Sequence, residues 1–239
     1  MAFWSPWRGC KKVSEGCRFC YIHKGDLKRV IDTNDIVKTK NFFAPIERNK
    51  NGEYKIKSGE MVYTCFSTDF LIEDADTWRE QCLEMIKTRS DLEFLFLTKR
   101  IDRFEKLIHM DCNNKYDNLH VGISVENQKN VDLKLSVLSK LPIKHKMIIC
   151  QPLLENVSLK NYLVDIDLVV VGGESDKDAT PLDFKWVRSI HNECKEAGVK
   201  FEFRQTGSFI ILDGVKKSVS YYSQMKLARE LELELGGKT

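Results

Sequence analysis

The chain has 239 residues, of which 42% are hydrophobic and 31% are charged, and its formal net charge is only +3. This composition is that of an ordinary globular protein, and a charge this small neither requires nor excludes a nucleic-acid partner. The sequence has no run of about 18 apolar residues, so no membrane-spanning helix is expected. The first residues lack the basic and apolar regions of a signal peptide, so we expect a cytoplasmic protein.

Three cysteines lie close together near the start of the chain, at Cys10, Cys17 and Cys20. Their spacing is Cys-x6-Cys-x2-Cys, with an aromatic residue, Phe19, directly before the last one. Three thiolates on one short loop can hold three irons of a [4Fe–4S] cluster and leave the fourth iron open for a small molecule. Zinc is the alternative, because His23 could complete a Cys3His site. We favour iron–sulfur, since a zinc knuckle rarely opens an α/β enzyme.

The other five cysteines are scattered singly among apolar or helical segments. We predict that they are buried small hydrophobic residues. They are Cys65, Cys82, Cys112, Cys150 and Cys194.

Residues 26–59 form a polar segment that interrupts the otherwise regular pattern, and we interpret it as an insertion after the first helix. It could form a lid or a substrate-reading loop, or it could be a plain surface excursion. Within it, residues 48–54 have the composition of a hairpin turn.

The remainder of the chain alternates strand and helix patterns. Strands are predicted near the N-terminus and over residues 61–66, 92–97, 119–125, 146–150, 168–171 and 200–204. Helices are predicted over residues 76–89, 102–110, 131–141, 184–197 and 221–235, with at most a turn or two at 159–163. Repeated strand–helix units imply parallel strands covered by helices. We therefore predict a single α/β domain over residues 1–239, a partial (β/α) TIM-type barrel of about six or seven parallel strands. A doubly wound open sheet is the alternative, and the periodicity of the sequence cannot distinguish it from a partial barrel.

Polar residues follow every predicted strand at the same end, where the active sites of barrel-like α/β folds lie. A cofactor with an amino-acid head needs a carboxylate or carbonyl for its ammonium group, and Asp69 and Glu126 are candidates. It also needs a cation for its own carboxylate, and Lys99, Arg100 and Arg204 are candidates.

Further polar residues at the strand ends suit the ribose of such a cofactor. Ser124, Asn127 and Glu174 offer hydroxyl, amide or carboxylate partners. Gly172 and Gly173 would let the backbone approach a ligand closely, or would simply form a tight turn after the strand.

Taken together, these motifs resemble the phage-associated, radical-SAM-like proteins with an N-terminal three-cysteine motif, a domain of unknown function. The resemblance covers nearly the whole chain, although the usual radical SAM spacing has three residues in the first gap and this chain has six. The segments that carry it are WSPWRGC at 4–10, STD at 67–69, FLTKR at 96–100, GISVEN at 122–127, QPLL at 151–154, VGGES at 171–175 and RQ at 204–205.

The resemblance implies a [4Fe–4S] cluster on the three N-terminal cysteines, with S-adenosylmethionine at the open iron. Its reductive cleavage would start radical chemistry on an unidentified macromolecular substrate, a nucleic acid or a peptide, and would need an electron donor. A three-cysteine-motif partner protein is also implied. The family pattern has a glutamate before Pro-Leu-Leu, where this chain has Gln151. The predicted cofactor-binding residues are Ser67, Thr68, Asp69, Lys99, Ser124, Glu126, Gly172, Gly173, Glu174 and Arg204. The alternative is a non-catalytic nucleic-acid or protein binding module with a structural iron–sulfur or zinc site.

Overall fold

The structure is a computed structural model that describes residues 1–108 and 116–236. In those ranges the strands are β1 (Ala2–Trp4), β2 (Trp7–Arg8), β3 (Val37–Lys38), β4 (Met61–Thr64), β5 (Glu93–Thr98), β6 (Leu119–Ser124), β7 (His145–Cys150), β8 (Leu168–Gly172), β9 (Leu182–Asp183), β10 (Lys200–Gln205), β11 (Phe209–Leu212) and β12 (Val215–Ser218). The α-helices are α1 (Tyr21–Lys28), α2 (Asp76–Thr88), α3 (Phe104–Leu107), α4 (Gln128–Leu138), α5 (Phe184–Ala197) and α6 (Gln224–Glu234). Short 3-10 helices lie at Glu15–Cys17, Ala44–Ile46, Glu73–Ala75, Ile101–Arg103, Lys160–Tyr162 and Tyr221–Ser223.

The main sheet confirms the predicted fold class. Its seven strands lie in the order β1-β4-β5-β6-β7-β8-β10, which follows the order of the chain. The strands β1, β4 and β5 pair in parallel, as do β7, β8 and β10. A doubly wound sheet would reverse its strand order at a switch point, and this order has no reversal. The α/β fold is therefore of the partial (β/α) barrel type.

The chain divides into two compact units, and the prediction of one domain over residues 1–239 stays a prediction. The first unit contains residues 1–13, 20–122 and 141–145, and the second contains residues 14–19, 123–140 and those from 146 onward.

An aromatic cluster fills the core of the first unit. Trp7 stacks on Phe70 with ring centroids 5.6 Å apart, and Phe70 lies 4.8 Å from Phe96 of β5. These side chains are fully buried, and each buried aromatic ring removes a large apolar area from water. Asp69, which directly precedes Phe70, is thereby attached to this buried aromatic layer.

The polar segment 26–59 is part of the first unit and packs against its core. The buried Trp4 indole donates a hydrogen bond to the carbonyl of Phe42 at 3.0 Å. The guanidinium of Arg89, also fully buried, donates to the carbonyls of Pro45 and Ile56. The predicted hairpin turn at 48–54 is present, closed by an antiparallel bridge between its two end residues. The segment is thus fastened to the core at several points, while its interpretation as a lid stays a prediction.

In the second unit the apolar strand β8 lies between β7 and β10, with Val169, Val170 and Val171 fully buried. A second sheet of three strands in the order β12-β11-β9 follows, which the sequence analysis did not predict. Its strands have two to four residues each, too short to produce a periodic pattern.

Several helix boundaries differ from the predicted ones. The segment predicted as one helix over residues 221–235 is a 3-10 helix at Tyr221–Ser223 followed by α6, and α4 ends at Leu138 rather than at 141. The helix α4 starts at Gln128 rather than at 131, because the side chain of Asn127 caps it by accepting a hydrogen bond from the Asn130 amide at 2.9 Å. The helix predicted over residues 102–110 is a 3-10 turn followed by only four α-helical residues, and residues 109 and 110 lie outside the described residues. Within the described ranges, no helix has both the length and the apolar character that crossing a membrane requires.

Candidate functional site

The N-terminal cysteines lie on a segment that we call the cysteine loop, Cys10–Cys20. All three side chains are half-buried thiols. Thiols in this state suit thiolate ligation of an iron–sulfur cluster, so the chemistry of the donor set fits that group. Within the described part of the chain, no group of three or more Cys, His, Asp or Glu side chains is arranged to hold a metal ion. The ligand assignment therefore depends on donor chemistry and sequence spacing.

The start of the cysteine loop is held by backbone contacts in the first unit. The amide of Cys10 donates to the carbonyl of Thr33 at 2.7 Å, and the hydroxyl of Thr68 donates to the carbonyl of Gly9. Gly9 has a φ of +92°, and a Cβ there would lie 2.5 Å from the carbonyl oxygen of Asp35. Only glycine accepts this conformation and this close approach without strain. The backbone conformation at Gly9 and the hydrogen bond from the Cys10 amide therefore set the position of Cys10.

The middle of the cysteine loop is held by Glu126 in the second unit. Gly16, directly before Cys17, donates its amide hydrogen to Glu126 Oε1 at 3.4 Å. The carboxylate is fully buried, and it also accepts from the side-chain amide of Asn130 at 3.1 Å. Lys134 Nζ lies 3.9 Å from its other oxygen. A buried carboxylate needs such partners, and here they tie it to the turn that carries a predicted cluster ligand.

The end of the cysteine loop leads directly into a helix. Cys20 immediately precedes α1, and its carbonyl accepts the amide hydrogen of Lys24 at 3.2 Å. His23, the fourth ligand of the zinc alternative, lies in α1. Burial, and after it the positive charge of Lys12, lowers the pKa of this imidazole.

Asp69, a predicted cofactor residue, is 5% exposed and its oxygens accept hydrogen bonds from this chain. Oδ1 accepts from the Thr98 hydroxyl at 2.8 Å and from the Leu71 amide at 2.9 Å. Oδ2 accepts from the Lys99 amide at 3.1 Å and from Arg100 Nη1 at 3.0 Å. Four donors therefore surround the carboxylate, which joins the ends of β4 and β5.

Arg100 connects this carboxylate to the cysteine loop. Its guanidinium is buried and donates to Asp69, to Glu73 at 3.2 Å and to the carbonyl of Lys11 at 3.0 Å. Burial alone would lower the pKa of Arg100, but the charges of Asp69, Cys10 and Glu73 raise it above its ordinary value. The guanidinium thus places a permanent positive charge beside the start of the loop. A cation there favours thiolate over thiol.

The remaining predicted residue of the β4 loop, Ser67, lies near the N-terminus of the chain. Its hydroxyl is 3.1 Å from that of Ser5. The structure therefore brings Ser67, Thr68 and Asp69 together with the first cysteine segment, within one unit.

Ser124, at the end of β6, is nearly buried, and its carbonyl accepts a hydrogen bond from Lys134 Nζ at 3.1 Å. The same lysine neighbours Glu126, so one ammonium group serves both strand-end residues. Asn127 acts as a helix cap, which explains its residue type without a ligand.

The glycines after β8 make room for the chain itself. A Cβ on Gly172 would lie 2.9 Å from the side chain of Gln151, and one on Gly173 would lie 2.3 Å from the carbonyl oxygen of Thr206. Glu174, also buried, accepts the amide hydrogen of Thr180 at 3.0 Å. Both glycines therefore lie where a side chain would meet the chain itself, and their approach to a ligand stays a prediction.

Arg204, one of the cations predicted to bind the carboxylate of the cofactor, is paired with a carboxylate of this chain. Its guanidinium donates two hydrogen bonds to Glu202, at 2.9 and 3.0 Å. The neighbouring Gln205 instead contacts the β8 loop, donating to the carbonyl of Gly173 at 2.9 Å and to the Ser175 hydroxyl at 3.2 Å. Ser175 in turn donates to Gln224 at 2.6 Å. The role of Gln224 could not be predicted from the sequence, because a single glutamine at the start of a helix has no distinguishing pattern.

Four of the five single cysteines are buried, as predicted. They are Cys65, Cys82, Cys150 and Cys194, whereas Cys112 lies outside the described residues.

Two solved structures resemble this fold over 96% of the chain, and both are mutants of spore photoproduct lyase. One contains a dinucleoside spore photoproduct and matches with a TM-score of 0.51, 14% sequence identity and 70% of its own chain covered. The other matches with a TM-score of 0.52, 13% identity and 71% of its own chain covered. At such low identity the likeness concerns the fold alone. No curated protein matches the sequence.

A family profile with the description "Protein of unknown function (DUF5131)" matches residues 1–233. This range includes the cysteine loop and every strand-end residue considered above. The chain therefore belongs to the DUF5131 family.

Proposed function

We propose that this protein is a radical SAM enzyme that binds a [4Fe–4S] cluster through Cys10, Cys17 and Cys20. It reductively cleaves S-adenosylmethionine to start radical chemistry on a macromolecular substrate. The observation that carries the proposal is how the cysteine loop is held. Thr68 and Arg100 bind the segment that carries Cys10, and Glu126 binds Gly16, directly before Cys17.

The fold supports the same proposal. The similar structures are of spore photoproduct lyase, a radical SAM enzyme, and one of them was solved with a dinucleoside. When bound, the cluster and S-adenosylmethionine supply a one-electron reductive cleavage that opens a radical reaction.

The residues of this chain orient the loop and shape its surroundings. Asp69 fixes Arg100, which in turn holds the carbonyl of Lys11 and places positive charge beside Cys10. Glu126, held by Lys134, fixes the turn before Cys17. Both carboxylates act in the proposal as positioning residues, because both oxygens of Asp69 and Oε1 of Glu126 accept hydrogen bonds from the chain.

Contacts with the cofactor itself stay a prediction for all the strand-end residues named from the sequence. They are Ser67, Thr68, Asp69, Lys99, Ser124, Glu126, Gly172, Gly173, Glu174 and Arg204. Arg204 would have to leave its partner Glu202 to make such a contact. An electron donor, a three-cysteine-motif partner protein, phage association and a cytoplasmic location belong to the same proposal as predictions from the sequence.

The test is anaerobic reconstitution of the full chain with iron and sulfide, followed by absorption and electron paramagnetic resonance spectra. The expected result is a [4Fe–4S] signal and release of 5′-deoxyadenosine from S-adenosylmethionine after addition of dithionite. Cys17→Ala should lose both, while Cys194→Ala, which removes a buried thiol elsewhere, should keep both. One bound zinc per chain without cleavage would contradict the proposal and favour a structural metal site.

A further inference from the structure

Two adjacent tyrosines are unusually exposed in the second unit. Tyr221 and Tyr222 are 74% and 93% exposed, and their ring centroids lie 5.7 Å apart at an interplanar angle of 82°. Aromatic side chains usually bury most of their surface, because their apolar area is large. Met225, also exposed, follows within about one helical turn. The pair thus presents π faces and apolar surface to its surroundings.

The pair is held next to the ends of strands β8 and β10. The tyrosines occupy the 3-10 helix that leads into α6, and Gln224 directly after this helix is almost fully buried. Gln224 accepts a hydrogen bond from the Ser175 hydroxyl at 2.6 Å, and its carbonyl accepts one from the Thr206 amide at 3.3 Å. Ser175 and Thr206 lie in the loops that follow β8 and β10. The segment that carries the exposed rings is therefore attached to the loops at the carboxyl ends of these strands.

Positive charge surrounds the tyrosines in the sequence. Between residues 215 and 229 the chain has four cationic side chains and no carboxylate, the cations being Lys216, Lys217, Lys226 and Arg229. Of these, Lys226 lies 3.9 Å from the carboxylate of Glu230, just outside this range. The first two lie on β12, an edge strand whose residues are all exposed. Two residues separate β12 from Tyr221, and the hydrogen bond from the Val219 amide to the carbonyl of Ser208 at 2.9 Å fixes that link.

We propose that residues 215–229 form a binding surface for single-stranded nucleic acid. Bases stack on Tyr221 and Tyr222, and the lysines of β12 contact phosphates. Aromatic faces bind any base by stacking, and cations along the same path bind the backbone. Lysines on an edge strand also prevent strand-to-strand aggregation, but that role does not explain two exposed tyrosines. The inference rests on the proposed function, for which it names the substrate class.

The first measurement is the fluorescence anisotropy of labelled single-stranded DNA and RNA of about 12 nucleotides, a length that covers one typical binding site. Purified full-length protein should bind both. Tyr221→Ala with Tyr222→Ala should weaken binding by roughly 5- to 150-fold for each stacked base. Tyr221→Phe with Tyr222→Phe should retain most of the affinity, because the rings remain.

The second measurement is the dependence of that affinity on salt. Replacing Lys216 and Lys217 by alanine should reduce the slope of log affinity against log salt by about 1.4, because each single-strand phosphate contact contributes about 0.7. The matched control replaces Lys185 and Lys195, exposed lysines of α5, and should leave the slope unchanged.

Four results would overturn the inference. The first is absence of oligonucleotide binding, and the second is equal binding by wild type and the double-alanine tyrosine variant. The third is dissociation of a dimer by that variant, since it would make the tyrosines a contact between copies. The fourth is binding to anionic phosphatidylserine vesicles only. Loss of oligonucleotide binding with intact S-adenosylmethionine cleavage refutes this inference alone, whereas binding without cleavage refutes only the proposed function.

Discussion

Replacement of Asp69 by asparagine tests whether the loops after β4 and β5 depend on one buried charge. The carboxylate accepts four hydrogen bonds, two on each oxygen, and one of them comes from the buried guanidinium of Arg100. Asparagine keeps the size of the side chain but puts an NH2 group where one oxygen was. The two donors that pointed at this oxygen then point at the NH2 group, which is itself a donor and cannot accept from them. In addition, the guanidinium of Arg100 loses its buried counter-charge.

The expected loss of unfolding free energy follows from the burial of the ion pair between Asp69 and Arg100. Breaking a buried ion pair by removing one partner typically costs about 3–5 kcal/mol. Arg100 keeps its contacts with Glu73 and with the Lys11 carbonyl, so we expect the lower end, about 3 kcal/mol. For a chain of this length each kcal/mol lowers the melting temperature by roughly 2–4 °C, which gives a fall of about 6–12 °C.

The assay is urea unfolding followed by tryptophan fluorescence. Trp7 is a local reporter, because its indole donates to the backbone carbonyl of Asp69 at 3.3 Å. The matched control is Asp74→Asn, which breaks a pair with Lys11 whose side chains are 39% and 44% exposed. Exposed pairs contribute about 1 kcal/mol or less.

A double-mutant cycle of Asp69→Asn with Arg100→Met completes the test. We expect the two changes to be non-additive, because each removes the same buried contact. Additive changes, or a loss in Asp69→Asn no larger than in the Asp74 control, would show that the carboxylate does not organise these loops.

Two further predictions concern thiol reactivity and acid stability. Burial raises the pKa of the Cys82 and Cys194 thiols to about 12, so very little of either is thiolate at pH 8. Iodoacetamide should therefore first alkylate the half-buried thiols of the cysteine loop, Cys10–Cys20, when native protein is treated at that pH. Peptide mass spectrometry checks this, and early labelling of either buried thiol would contradict it. Hydrogen bonds from Arg89 hold the pKa of Asp91 well below its usual range. Its stabilising effect is therefore complete above the unfolded pKa of about 3.9 and is lost as the pH falls below it. The urea midpoint should drop between pH 5 and 3 by less in Asp91→Asn than in wild type, and equal drops would refute the assignment.

Much of the fold could be predicted because its signals are local. Continuous apolar runs such as the one at 168–171 mark strands that are buried on both faces. The alternation of these runs with helical patterns favours a parallel sheet, and the observed strand order confirms it. The strands of the second sheet escaped prediction because they have two to four residues and no apolar period.

The candidate site was predicted only in part. The sequence pointed to polar residues at the strand ends, and the structure shows that several of them bind other parts of the chain. Glu126 receives the amide hydrogen of Gly16, which is 110 residues away in the sequence. Position 173 must be glycine, because a Cβ there would clash with the backbone of Thr206. Partners this distant leave no mark in the local pattern of residue types.

The sequence by itself determined the alternation of strands and helices, the spacing of the three thiols, and the polar character of the strand ends. Each of these follows from the chemical type and local period of the residues. Only the tertiary structure decided which polar groups are hydrogen-bonded to other parts of the chain and which surfaces remain exposed. Asp69 is surrounded by donors, whereas Tyr222 is almost wholly exposed. Hydrogen bonding requires donor and acceptor within about 3 Å, and folding alone brings such distant residues together.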